Sequence, residues 1–431
     1  MLVFHLTSQM NGDILNMVNK SILVVGGGIS GLTAAIEAAE VGFEVFLVEK
    51  NPYLGGKVTQ INQYFPKLCP PNCGLEINFR RLRSNPAVKI LTMAEVESIS
   101  GQEGNFDVTV KINPRYINEN CTACGKCAEV CPAERANDFN YGLDKTKAAY
   151  LPHEFAFPVK YVIDAGACQQ GCSKCVEACQ YGAIEPDMQP KTMKLNVGSV
   201  VWATGWKPYD AEKLSYYGFG RYPNVITNVI MERMAAVNGP TKGKIVRPSD
   251  GKEIKSIAFV QCAGSRDENH LHACSSVCCM ASLKQATYVR EQYPDAKICI
   301  YYIDIRTRGR HEDFFIKVQN EANVTLIKGK AGEILEDAAT GQLTIVAEDQ
   351  LKQELTQEKF DMVVLATGMQ PATAETKVPA EMAYDEDGYV AGGTPGICAA
   401  GCTKKPQDVA AAVADATAAA LRAIQSVRGQ S

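Results

Sequence analysis

Ser21-Ile-Leu-Val-Val-Gly-Gly-Gly-Ile-Ser-Gly31 opens as an apolar, β-branched run, breaks into glycines, and gives way to the helical pattern LTAAIEAAEVG. Strand, glycine turn and helix in that order are the setting in which G-x-G-x-x-G marks a dinucleotide site. Gly26 permits the tight turn, Gly28 lets backbone approach a pyrophosphate, and Gly31 lets helix and strand pack closely. Ser30 stands among them at the helix start, where the dipole favours negative charge. A second strand over 44–48 (EVFLV) runs into Glu49, an acid placed to accept hydrogen bonds from a ribose.

The rest of the chain supports a globular reading. With 431 residues, 46% of them hydrophobic, it has material for two or three structural units. A formal charge of −4, with lysines and arginines dispersed, argues against nucleic acid as a partner. Apolar runs fall short of the ~20 residues of a membrane helix, so membrane contact is expected only through a partner. Residues 1–20 have no clear period; Met17, just before the first strand, is an alternative start, and this extension is assigned no function.

Seventeen cysteines is a high and odd number, so complete pairing into intramolecular disulfides is excluded. No stretch has the layout of a secretory signal, and the expectation is reduced thiolates in a cytoplasm, with any attachment at the inner face of the membrane. Cys121, Cys124, Cys127, Cys131 and Pro132 spell C-x2-C-x2-C-x3-C-P, the bacterial ferredoxin run. Cys168, Cys172, Cys175 and Cys179 form a partner run, one residue longer at its first step and without the proline. In two-cluster ferredoxins the fourth cysteine of each run serves the other cluster. Cys121, Cys124, Cys127 and Cys179 are therefore assigned to one [4Fe–4S] cluster, and Cys168, Cys172, Cys175 and Cys131 to a second.

Strands at 255–260, 297–302 and 361–365 announce a second α/β unit. After the first of them a nicotinamide-dependent enzyme would carry its phosphate-binding glycines, but here stand Gln261, Cys262, Ala263, Gly264, Ser265 and Arg266. Cys262, Cys274, Cys278 and Cys279 gather instead, either as ligands of another cluster or as reduced structural thiols. Cys69 and Cys73 form a C-x3-C pair whose part, redox or cluster chemistry, is left open. No serine, histidine or carboxylate pattern names a catalytic acid, base or nucleophile.

Glu49, Lys50 and then Gly55 and Gly56 resemble the E-x5-G-G stretch of thioredoxin-reductase-like flavoproteins, which implies FAD. In such proteins the chain returns to the flavin domain, here at 200–205 (VVWATG, with Thr204 and Gly205) and at 396–401 (GICAAG, ending in Gly401). Pro406, Gln407 and Asp408 would open a last helix whose dipole faces the flavin. Those families have Asp after the final glycine; this chain has Cys402. The expected fold is α/β: a two-dinucleotide-binding-domain flavoprotein with an inserted two-cluster ferredoxin module. Its parts are an extension (1–20), FAD-binding domain (21–111), ferredoxin insert (112–190), FAD return segment (191–250), second α/β domain (251–370) and C-terminal FAD-domain part (371–431).

GGGISGLTAA, CTACGKCAEVCP, YGFGRYPNVIT, CSSVCCMASLKQA and YYIDIRTRG together resemble the A subunit of heterodisulfide reductase. That resemblance implies a cluster at Cys262, Cys274, Cys278 and Cys279. Longer members carry a further N-terminal domain and a C-terminal ferredoxin. The short form, with CPPNCGLEIN and CQQGCSKCVEACQYGAI, resembles the A subunits of quinone-interacting membrane-bound oxidoreductases of sulfate reducers. This implies two further subunits, one flavin-binding and one haem-containing in the membrane, with electron passage from menaquinol to adenylylsulfate reductase. The alternatives are a heterodisulfide-reductase-type A subunit serving B and C subunits, an NAD(P)H-dependent flavin and iron–sulfur reductase, and a non-catalytic scaffold.

Overall fold

Parallel strands buried on both faces need apolar residues throughout, and the first sheet obeys this: every residue of Ser21–Val25 and Ser199–Trp202 is buried. The computed structural model describes residues 20–428; 1–19, most of the expected extension, and 429–431 lie outside the described residues. The first sheet has the parallel order Ile397–Ala399, Ser199–Trp202, Ser21–Val25, Glu44–Glu49, Val88–Thr92. Alternation sorts the first strand's side chains. Ile22 and Val24 pack with helices Ile29–Glu40 and Val409–Arg428, whereas Leu23 and Val25 pack under the antiparallel sheet of Ala94–Gln102, Asn105–Ile112 and Lys191–Val197. Ala35, Ala416 and Ala420 lie between the two helices' backbones and let them approach.

Ile112 and Lys191 are antiparallel partners, so everything between them hangs from one hairpin. The insert contains two small ribbons, Glu134–Ala136 with Lys145–Lys147 and Ala149–Tyr150 with Val162–Ile163, and two short helices, Lys126–Glu129 and Lys174–Ala178. Its core is small and includes the cysteines themselves.

The second parallel sheet runs Val225–Thr227, Met362–Thr367, Ser256–Ala263, Lys297–Tyr302, Val324–Lys328, with a three-stranded antiparallel sheet beside it. One boundary drawn from sequence needs correction. The stretch 191–250 is not a single return to the FAD domain, because Val225–Thr227 pairs with Met362–Thr367 and helix Asn228–Ala235 is buried along its whole length in the second domain. An apolar VIT run requires a strand neighbour, and the second sheet supplies it. The chain crosses at Trp206–Pro208 and returns at Met369–Pro371, and these two crossings pair with one another. Among the described residues, no helix is long and apolar enough to cross a membrane.

Candidate cofactor sites

The glycine turn shows which space is structural and which is left for a ligand. Gly26 has φ +108°, and a Cβ there would lie 2.2 Å from the Ala203 carbonyl oxygen. A Cβ on Gly31 would lie 1.7 Å from the Gly26 oxygen, which is the close helix–strand contact. Gly28 differs: a Cβ there would meet only the Gly56 Cα, at 3.9 Å. The open side of Gly28 faces the helix N-terminus and is the cradle a pyrophosphate would fill. Gly55, φ +104°, donates its N–H to the Gly27 carbonyl at 2.7 Å and closes the loop against the turn.

Glu49 is buried at the end of its strand. Its Oε2 accepts the Gly27 N–H at 2.6 Å, and its Oε1 accepts the Asn51 N–H and side-chain amide at 2.7 Å each. Burial pushes its pKa up, against the pull of those bonds and of Lys50, which is itself exposed. Oε2, with one donor, keeps acceptor capacity for a ribose hydroxyl.

The two returns meet across the sheet. Thr403 Oγ1 accepts the Gly205 N–H at 3.1 Å and lies 3.3 Å from Thr204 Oγ1. Gly401 has φ +64° and presses on Ser30, whose Oγ would be 2.0 Å from an added Cβ. Ser30 Oγ also donates to the Ala412 carbonyl at 3.5 Å. Asp408 caps the last helix by accepting the Ala411 N–H at 2.8 Å. The Cys402 thiol turns toward the Gln407 carbonyl, 3.5 Å away, and burial raises its pKa to about 11. Gln407 is buried with its Nε2 unpartnered in the protein, an amide donor at the mouth of the flavin-domain helix. Asp415, further along that helix, bonds the Gly401 N–H at 2.8 Å and Lys404 at 2.7 Å. The open glycine, the buried acid and the unpaired amide fit FAD.

The ferredoxin module brings the two cysteine runs together crosswise. One cavity is lined by Cys121, Cys124, Cys127 and Cys179; another by Cys131, Cys168, Cys172 and Cys175. A third lies in the second domain between Cys262, Cys274, Cys278 and Cys279. Among the described residues no three His, Cys, Asp or Glu side chains close on a single ion. Four thiols spread around a cavity match a polynuclear cluster, whereas zinc draws its sulfurs in to ~2.3 Å. Burial pushes the Cys127 thiol to about 12 and Cys262 to about 11, so bound iron, which takes thiolate, would have to displace these protons. Cys69 and Cys73 lie apart from all three cavities, Cys73 exposed at the start of helix Asn72–Ser84.

Where strand Ser256–Ala263 ends, the second domain offers no equivalent of the Gly28 cradle. Gly264 follows that strand with φ +74°, the space a Cβ would take being filled by the Tyr209 ring at 2.5 Å, and Arg266 stands two residues on, where the first domain has Gly28 after Gly26. The Tyr209 hydroxyl is 2.8 Å from His270 Nδ1, which fixes it there.

Residues 21–69 match the family described as "FAD dependent oxidoreductase", and 114–134 match "4Fe-4S binding domain". The A subunit of the H(2):CoB-CoM heterodisulfide,ferredoxin reductase of Methanothermobacter thermautotrophicus is 38% identical over 96% of this chain and 65% of its own length. An iron-sulfur A subunit of a CoB–CoM heterodisulfide reductase of Methanopyrus kandleri is 40% identical over 94% of this chain and 64% of that protein. The chain is closely related to the A subunits of heterodisulfide reductases. It spans just under two thirds of the length of those relatives. Among solved structures, T. acidophilum thioredoxin reductase matches with TM-score 0.52 and 16% identity over 94% of this chain and 98% of that one, a likeness of fold. FAD-binding and 4Fe–4S-binding domains are therefore both present, in a thioredoxin-reductase-like fold.

Several site residues carry no sequence signature. Thr403 and Gln407 are single polar residues in a loop, and Arg266, Asp304 and Arg306, which line the third cavity, come from two different strand ends. The reverse holds for Cys69 and Cys73, which their spacing marked but which join none of the three cavities.

Proposed function

We propose that this chain is the flavin-bearing electron-transfer subunit of a heterodisulfide-reductase-type complex, exchanging electrons with B- and C-type subunits. Bound FAD would take or give electrons in pairs, and the clusters one at a time. The observation that carries this is the segment 56–63 beside the glycine cradle, which touches both the insert and the second domain. On one side Gln60 Nε2 donates to the Phe139 carbonyl of the insert at 2.9 Å, and Tyr141 donates to Gln60 Oε1 at 3.2 Å. On the other, the Asn62 N–H donates to Glu232 of the second domain at 2.9 Å, and Lys284 reaches the Gln63 carbonyl. A flavin held there has an insert on one flank and the third thiol cavity's helix on the other.

The chain's own residues orient the flavin through Gly28, Glu49 and Gln407, and keep the thiols at the cavity walls. The test is anaerobic reconstitution followed by dithionite titration and co-purification with B- and C-type subunits. One FAD and about twelve iron atoms per chain, with reversible bleaching, are expected. A colourless protein, or bleaching by NADPH as fast as by dithionite, overturns the proposal. Reduction by NADPH is not expected, since the loop leaving strand Ser256–Ala263 lacks the G-x-G-x-x-G turn that would seat a pyrophosphate.

A second reading is favoured by the CPPNCGLEIN and CQQGCSKCVEACQYGAI stretches: service in a quinone-interacting complex, with adenylylsulfate reductase, a second flavin protein and a haem-containing membrane protein as partners. Recovery of a haem protein instead of B- and C-type subunits would favour it.

A further inference from the structure

The three thiol cavities differ in the charges built into their walls. The one closed by Cys131 and the second cysteine run has no charged side chain in its lining. The one closed by Cys179 has a single cation, Lys126, whose ammonium is paired with Glu129 at 2.7 Å. The third has two guanidinium groups, Arg266 and Arg306, and one carboxylate, Asp304, between them. Asp304 Oδ1 pairs with Arg266, and its Oδ2 accepts from Arg306 Nε at 3.2 Å. Two positive charges against one negative leave a net positive wall beside four thiols.

This arrangement follows from the fold. Arg266 lies in the loop leaving strand Ser256–Ala263, and Asp304 and Arg306 in the loop leaving its parallel neighbour Lys297–Tyr302. Adjacent parallel strands deliver their following loops to the same end of the sheet. In a nucleotide-binding domain that end receives phosphate; here it receives sulfur.

We propose that Arg266 and Arg306 set the reduction potential of the cluster held by Cys262, Cys274, Cys278 and Cys279 above those of the two ferredoxin-module clusters, making it the electron sink of the chain. The proposal rests on the cofactor assignment above. Adding an electron to a cluster adds negative charge, and a fixed cation in the wall, or a hydrogen bond to sulfur, stabilises the reduced form. Burial acts the other way and is greater at this site, where Cys262, Cys278 and Cys279 are buried, against Cys127 alone and Cys131 alone in the two ferredoxin-module sets, but the same low dielectric strengthens the pull of fixed charges in the wall. In this proposal the unbalanced guanidinium charge, absent from the other two walls, outweighs the burial and sets the order. The step is a one-electron exchange. A reduced ferredoxin-module cluster is oxidised by one electron, the cluster at the third cavity gains it, and no bond or proton is transferred.

The experiment is a redox titration of the reconstituted full-length chain, followed by electron paramagnetic resonance, with the third site's signal identified by its loss in Cys262→Ser. In the parent protein that signal appears first on reduction. Arg306→Gln moves its midpoint negative, Arg306→Lys leaves it nearly in place, and Asp304→Asn moves it positive, while the other two midpoints hold. A purely structural role would not give opposite shifts for opposite charges. The proposal is overturned if the third signal appears last, or if Arg306→Gln and Asp304→Asn shift it alike or not at all. An iron content of about eight with no third signal removes the cofactor assignment itself, and the proposal with it. About twelve irons with unmoved midpoints removes the proposal alone.

Discussion

Gly28 and Gly31 are three residues apart in one motif and do different work. Gly31 is a packing requirement, because a methyl group would collide with the Gly26 carbonyl. Gly28 has space for a methyl in the protein alone and is reserved for the ligand. Gly31→Ala is accordingly expected to destabilise the chain by about 1–3 kcal/mol or more through overpacking. Gly28→Ala should leave the apoprotein's melting temperature nearly unchanged and weaken FAD binding about tenfold or more, ~1.4 kcal/mol. Calorimetry of apoprotein alongside flavin fluorescence titration separates the two; equal loss of stability in both variants would contradict this division.

His153 carries a second residue-scale expectation. Its ring stacks on Phe139 at 4.5 Å and meets Tyr53 edge-on at 4.8 Å, with Nε2 buried and unpartnered. Burial first, and the Arg233 charge second, lower its pKa to about 4. The unfolded chain therefore binds this proton between about pH 6.5 and 4 while the folded chain does not, so stability falls as pH drops through that window. The contribution is about 2 kcal/mol at pH 5. His153→Phe should be less acid-sensitive than the parent by that amount in urea unfolding at pH 7 and pH 5, and identical pH dependence of the two proteins would refute the assignment.

At the scale of elements, the ferredoxin insert is an appendage to a hairpin. Because Ile112 and Lys191 face one another, replacing 113–190 by a short turn should leave strands Asn105–Ile112 and Lys191–Val197 paired. The product is expected to be soluble and yellow, with about four irons instead of twelve. Failure to bind flavin would mean that the insert's contacts with 56–63 are needed to shape the cradle. Within the insert, Cys179→Ala should remove the cluster site of the first cysteine run and spare that of the second, the reverse of what sequence proximity suggests. Mössbauer or resonance signatures of the remaining cluster report which run survives. The cysteine spacing made the module legible, since ligands three apart bind one cluster corner by corner. The late crossing into the second domain was not legible, because Val225–Thr227 is a three-residue β-branched run that either sheet could have taken.

Across the whole molecule, three bodies are tied by two consecutive residues of helix Asn228–Ala235. Glu232 accepts the Asn62 N–H of the flavin domain and pairs with Lys284 at 3.1 Å, with both side chains nearly inaccessible. Arg233, 1% exposed, donates to Asn140 of the insert at 2.8 Å and lies 4.7 Å over the Phe139 ring. Removing one partner of a buried pair leaves an uncompensated charge, so Glu232→Ala is expected to cost about 3–5 kcal/mol, and Glu232→Gln less. Urea unfolding monitored separately by flavin fluorescence and by cluster absorbance should show one transition in the parent and two in Glu232→Ala. A single transition in both would show that other contacts suffice to hold the bodies together.

The glycine turn, the acid eighteen residues past Gly31 at the end of the second strand, and each ferredoxin run are patterns fixed by spacing along the chain, so its one-dimensional order determined them. The second strand–loop–helix unit was legible in the same way, as was its lack of a glycine loop. What the tertiary structure decided is whatever depends on strand order: the placing of Arg266 beside Arg306 and Asp304, the bond from Thr403 to Gly205, and the Glu232–Lys284 pair beneath the flavin loop. Those partners are remote in sequence. Only the pairing of parallel strands, which lines up their following loops at one edge, brings the charges into a shared low-dielectric space where they act on one another.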